Sequence, residues 1–131
     1  MNMSYWQELS IEEKIRQILQ EVPDAAPEHH LGYAYLTAYQ IAIEFVKRFP
    51  DDAAQLGFPI GGTGIGQRNS LAQYLARQLS RNINAGKLND VEGGFLSNLH
   101  LHDISFDVDG GAIHSSLTNT DYTLSMFRLK S

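Results

Sequence analysis

Apolar side chains recur at helical spacing as far as Ile83 and then, from Phe95, at every second position. A chain that changes period once must pack a helical part against a sheet. We therefore expect an α+β fold, with a helical part over residues 1–89 and a β part over 95–130. At 131 residues, and with 43% hydrophobic letters, the chain forms one globular domain spanning 1–131. A domain of this size needs no disulfide or structural metal to fold.

Three helices are predicted, over 10–22, 37–49 and 70–84. In the first, Ser10-Ile11-Glu12-Glu13 reads as a capping box, and Ile11, Ile15, Ile18, Leu19 and Val22 fall on one stripe. Pro23 ends it, and Pro23 to His30 reads as a loop. Thr37-Ala38-Tyr39-Gln40 is a second capping box. It opens a helix whose apolar residues Ile41, Ala42, Ile43, Phe45, Val46 and Phe49 surround most of the cylinder, so it should be central. Pro50 stops it. The stretch from Asp51 to Ser70 reads as a loop, since five glycines crowd into Gly57–Gly66. The third helix carries Leu71, Leu75, Leu79 and Ile83 on one side and ends at Gly86. Upstream of the first, Ser4-Tyr5-Trp6-Gln7 leaves room for only a short extra turn.

The β part reads as an antiparallel three-stranded meander. Its apolar phase slips near His102-Asp103, which calls for a bulge or bend. Asp109-Gly110 is a preferred hairpin turn, and the register it sets places Phe106 opposite Ile113, Val108 opposite Gly111 and His114 opposite Ser105. Thr118-Asn119-Thr120-Asp121 forms a second turn into a strand carrying Tyr122, Leu124 and Met126. Three helices followed by a hairpin is also the element order of a winged helix, with the third helix as the reader. Against that order, Asp107 and Asp109 place acid where a wing would meet phosphate, and the connection between the second and third helices is long for a helix-turn-helix.

Composition narrows the chemistry. The absence of cysteine removes disulfides, thiolate zinc sites and thiol nucleophiles. No apolar run approaches the roughly 20 residues that span a bilayer, and Met1 to Trp6 has neither the basic start nor the apolar core of a signal peptide. A cytoplasmic protein without a membrane partner is expected. The charge is uneven: Ile60 to Asn89 contains Arg68, Arg77, Arg81 and Lys87 and no acid, a window of +4 in a chain of −5.

Three places could hold function. The first is the glycine-rich run with the third helix. Gly62 and Gly64 lead into a helix N-terminus, where unpaired amides suit a phosphate, and Ser70, Tyr74, Arg77 and Arg81 form a stripe that, with Arg68, suits a nucleic-acid backbone. The run lacks the Lys-Ser/Thr of a nucleotide-binding P-loop. The second is a histidine group, His100 and His102 on one strand face with His114 from the next strand, near Asp103 and Asp107. That arrangement would suit a divalent metal or acid–base chemistry if the phase slip let the three converge. The third is an acidic exterior, with Glu8, Glu12, Glu13, Glu21, Asp24 and Glu28 early and Asp90, Glu92, Asp103, Asp107, Asp109 and Asp121 later, near the aromatic residues Tyr5, Trp6, Tyr33, Tyr35 and Tyr39. Such a surface favours solubility and steers toward basic partners.

No nucleophile triad, cofactor fingerprint or zinc ligand set is legible, so no cofactor is expected and an enzyme is disfavoured. The leading expectation is a small non-catalytic binding module acting through protein contacts, as a homodimer or on a basic partner. The alternative is nucleic-acid binding through the basic stripe of the third helix, and the third reading is a histidine- or metal-dependent hydrolase.

Overall fold

The structure, a computed structural model, describes residues 4–22, 30–61, 70–115 and 124–130. Within them the chain is α+β. Its helices are α1 (Tyr5–Glu8), α2 (Ile11–Gln20), α3 (Ala38–Arg48), α4 (Pro50–Leu56) and α5 (Leu71–Asn84). Its strands are β1 (Leu36–Thr37), β2 (Val91–Leu96), β3 (Ser105–Val108), β4 (Gly111–His114) and β5 (Leu124–Leu129). None of the described helices is long and apolar enough to cross a membrane.

The apolar stripes do what their spacing dictates. Ile11, Ile15, Ile18 and Leu19 of α2, Ile41, Ala42 and Phe45 of α3, and Leu71, Leu75 and Leu79 of α5 are all buried in one core, closed by Val91 and Phe127 from the sheet. As expected of a helix apolar on most sides, α3 is central and packs against α2, α4, α5, β1, β3 and β5. The Thr37 capping box forms in full: the hydroxyl accepts from Gln40 N, and the Gln40 side chain accepts from Thr37 N.

Two local expectations need correction. Ser10 does not cap α2 through its side chain, because α1 ends directly before it. Its backbone is left-handed at φ 51° and its N–H donates to Gln7 O, whereas a capping residue needs extended backbone. The stretch after Pro50 is not all loop either. Pro50 ends α3 and also opens α4 at its first position, where its missing N–H costs nothing, with Asp51 and Asp52 in the first turn and left-handed Gly57 at the end.

The sheet differs more. Instead of a three-stranded meander, β5 lies between β1 and β2, antiparallel to both, while β3 and β4 form a separate hairpin. The hairpin register is the expected one, with Phe106 opposite Ile113, Val108 opposite Gly111 and Ser105 opposite His114. The interruption near His102 is wider than a bulge, since residues 97–104 belong to no strand and His100 is left-handed at φ 62°. That excursion lets the hairpin leave the sheet and dock on α3, where Phe106 stacks on Tyr39 at 5.1 Å between ring centroids. β5 then has β2 as its partner over six residues, from Val91 opposite Leu129 to Leu96 opposite Leu124. The second turn at Thr118–Asp121 and the strand position of Tyr122 lie outside the described residues. Phe127, rather than Met126, is the buried member of β5 at its middle.

Candidate functional site

The N-terminus of α5 is engaged by its own protein. Leu71 N donates to Pro59 O at 2.7 Å, Ala72 N to Ile60 O at 3.0 Å, Gln73 N to the Ser70 hydroxyl at 3.1 Å and Tyr74 N to Ser70 O at 3.0 Å. The amides of Leu71, Ala72 and Gln73, which have no intrahelical acceptor, are thus satisfied, so the phosphate cradle expected there is not formed by these three amides. Ser70 is buried as the capping residue. Gly61 sits close beneath it: a Cβ there would meet Ser70 Cβ and Tyr39 Cε1 at 3.2 Å, and its φ of 135° suits glycine. Gly62, Gly64 and Arg68 lie outside the described residues.

Tyr74 leans off the stripe. Its ring lies edge-on to buried Trp6 at 6.5 Å and 5.5 Å from the Phe58 ring. Burial pushes its phenol up from the ordinary value, and the nearby Arg77 guanidinium pulls partly against that.

Arg77 and Arg81 are both exposed, and neither forms an ion pair with any described residue. Four other cations among the described residues, Lys14, Arg16, Arg48 and Arg128, are held by acids. Lys14 pairs with Asp52. Arg16 holds Asp90 at 2.7 Å and also meets Glu12 and Glu13. Arg48 holds Glu21 and Glu44, and Arg128 holds Glu92 at 2.7 Å while covering the Tyr35 ring at 4.4 Å. Four cations thus engage seven carboxylates, while the two arginines of α5 are left to solvent. At about 100° per residue, Arg77 lies at the centre of the face opposite Leu75 and Leu79, flanked by Gln73, Ser80, Arg81 and Asn84. The spacing of Gln73, Ser80 and Asn84 from Arg77 was legible in the sequence, but a pattern of cations alone omits them. No acidic residue occurs on α5.

Beside this face runs a groove of about 400 Å³, walled by Ser80, Ile83 and Asn84 on α5 and by Gly93, Gly94, Phe95, Ser125 and Phe127 on the sheet. Glycine at position 93 lets the Phe127 ring lie flat across the sheet, since a Cβ there would stand 3.1 Å from it. Phe95 shares the sheet face of Val91 and Gly93 yet is 71% exposed, and Leu99 is 74% exposed.

The histidines do not gather. His100 and His102 lie in the 97–104 segment rather than on a strand, and among the described residues no group of three or more His, Asp or Glu side chains is placed to hold a metal. His114 instead meets Asp103, with Nδ1 2.7 Å from Oδ2, and Ser105 Oγ lies 3.1 Å from the same carboxylate oxygen and 3.3 Å from the same Nδ1. The hydrogen bond from His114 holds the Asp103 carboxyl below its usual range. Because an ionised carboxylate only accepts, Nδ1 carries the proton and the serine hydroxyl also donates to Asp103. Acid and hydroxyl share one ring nitrogen, whereas a relay needs them on opposite nitrogens. The cluster ties residues 103–105 to β4.

No protein-family model matches the chain, and neither does any curated protein or solved structure at a significant level.

Proposed function

We propose that the chain is a non-catalytic nucleic-acid-binding module of winged-helix-like architecture, reading duplex DNA with α5. The observation that carries this reading is the pair of guanidinium groups without an acidic partner among the described residues, Arg77 and Arg81, on an exposed, acid-free helix face. The neighbouring side chains suit DNA as well. Arg recognises guanine edges and phosphates, and Gln73 and Asn84 carry the amide that pairs with adenine. With 14 residues α5 is about 21 Å long, and a helix fits the major groove, which is about 12 Å wide.

The topology supports the same reading. Helices α2, α3 and α5 precede the paired strands β2 and β5, and β1, between the first two helices, joins the same sheet. Asp107 and Asp109 at the hairpin tip line a recess beside α3 together with Glu44 and Lys47, and both aspartates remain exposed, so their charge still counts against a wing that meets phosphate. The long connection before α5 is partly taken up by α4.

Fluorescence anisotropy with a labelled duplex tests the proposal. Binding is expected at ~50 mM salt, with dissociation constants in or below the roughly 10⁻⁴ to 10⁻⁶ M range of non-specific contacts. Arg77→Ala should weaken it, and Arg48→Ala, whose guanidinium is already paired, should not. Absence of binding at that salt would remove the reading.

A second reading, a protein-contact module that self-associates, is favoured by one observation: Phe95 near the end of β2 and Leu99 in the segment that follows it expose large apolar side chains. Light scattering that finds a dimer, dispersed by Phe95→Ser, would support it.

A further inference from the structure

Phe95 raises a separate question. It stands on the sheet face that buries Val91, Phe127 and Leu129, at a groove whose other wall is the arginine-bearing helix. We infer that this groove takes an unpaired base of a nucleic-acid strand, stacked on the Phe95 ring, so that the protein prefers a duplex with a single-stranded extension to a blunt one. The inference rests on the nucleic-acid reading above and names the form of nucleic acid bound.

The occupant follows from charge and shape. Among the described residues lining the groove there is no carboxylate, and the α5 wall presents Ser80 and Asn84, which can hydrogen-bond to a base edge. Arg77 is one helical turn from Ser80 and Arg81 one turn from Asn84 on the sequence, about 5 Å along the axis, so a phosphate held by either leaves its base within the groove's reach. The floor is open because residues 93 and 94 are glycines, and the exposed aromatic ring at its mouth offers a π face that any base can use. A paired base cannot lie flat on that ring without leaving its stack. An unpaired base does so at little cost.

The test compares three ligands of identical duplex sequence: blunt, extended by a few normal nucleotides, and extended by the same number of abasic sites. The abasic extension keeps the phosphates and removes the bases, which separates stacking from charge. The normal extension should bind at least about five-fold more tightly than the abasic one, the gain expected of a single base on an aromatic ring. Phe95→Ala should abolish that difference with blunt-duplex affinity unchanged, and Phe95→Trp should preserve it. Since Phe95 is exposed, unchanged thermal unfolding of the variants is expected and confirms that the comparison is of folded proteins. Equal affinity for the normal and abasic extensions would overturn the inference, as would a preference that survives in Phe95→Ala. A dimer that Phe95→Ala dissociates, with nucleic-acid affinities untouched, would overturn it in favour of a second copy covering the groove. Failure of the blunt duplex itself to bind would instead count against the nucleic-acid reading.

Discussion

Gly93 and Gly94 are adjacent and identical in composition, yet the structure gives them different roles. A Cβ at 93 would press on Phe127 Cε1 at 3.1 Å and Cδ1 at 3.2 Å, and Phe127 is buried and cannot swing away. At 94 the nearest atom is the flexible Met126 Cε at 3.8 Å. Gly93→Ala should therefore lower stability by about 1–3 kcal/mol, as overpacking does, while Gly94→Ala should change it by under about 0.5 kcal/mol. Urea unfolding of the two variants checks this, and equal effects would show that Phe127 does not hold position 93. Nothing in the sequence distinguished the two glycines, because the close approach depends on which strand pairs with β2. The same applies to Tyr74. Its spacing from Arg77 was legible, but packing that spacing does not report draws it toward Trp6 and Phe58.

The helix caps show how an element's boundary is settled by what precedes it. Both Ser10 and Thr37 head sequences that fit a capping box, but only Thr37 has the extended backbone the box requires, at φ −70° and ψ 162°. Thr37→Ala should cost about 1 kcal/mol, and Ser10→Ala, which removes no capping bond, should stay within about 0.5 kcal/mol. Thermal or chemical unfolding of the pair distinguishes them, and a larger loss at Ser10 would contradict the observed geometry. Elements whose signals are local were readable: the three long helices, the Asp109-Gly110 hairpin and its register. The partner of β5 was not. A meander follows from sequence order alone, and only the excursion at 97–104 and the docking of Phe106 on Tyr39 free β5 to pair with β2 and β1. The same excursion takes His100 and His102 off any strand, so the condition on which the three histidines could converge, a phase slip that kept them on one face, is not met. α4 was hidden because a proline that ends one helix is equally suited to begin another.

At the scale of the molecule, most carboxylates of the described residues are already engaged by a basic side chain. Arg16 joins α2 to Asp90 just before β2, and its hydrogen bond holds the Asp90 carboxyl below its ordinary value of 3.8. Since the folded state binds that proton less readily than the unfolded chain, the pair stabilises the fold above the ordinary value. That contribution fades as pH falls through the lowered one. The Asp90 side chain is half exposed, and solvent screening limits the pair to under about 1 kcal/mol. Asp90→Asn should thus be slightly less stable than the parent at neutral pH and equal to it under strong acid, as chemical denaturation at the two conditions would show. A difference that persisted in acid would point to a cause other than this ion pair. Arg77 and Arg81 have no such partners among the described residues, which is what makes α5 a cationic ridge on a chain of net charge −5. The salt dependence of duplex DNA affinity between ~50 and ~200 mM tests that ridge most directly. Affinity should fall steeply with salt, and the double variant Arg77→Ala, Arg81→Ala should reduce the logarithmic slope by about 2, one for each phosphate no longer neutralised. An unchanged slope, or binding indifferent to salt, would contradict it.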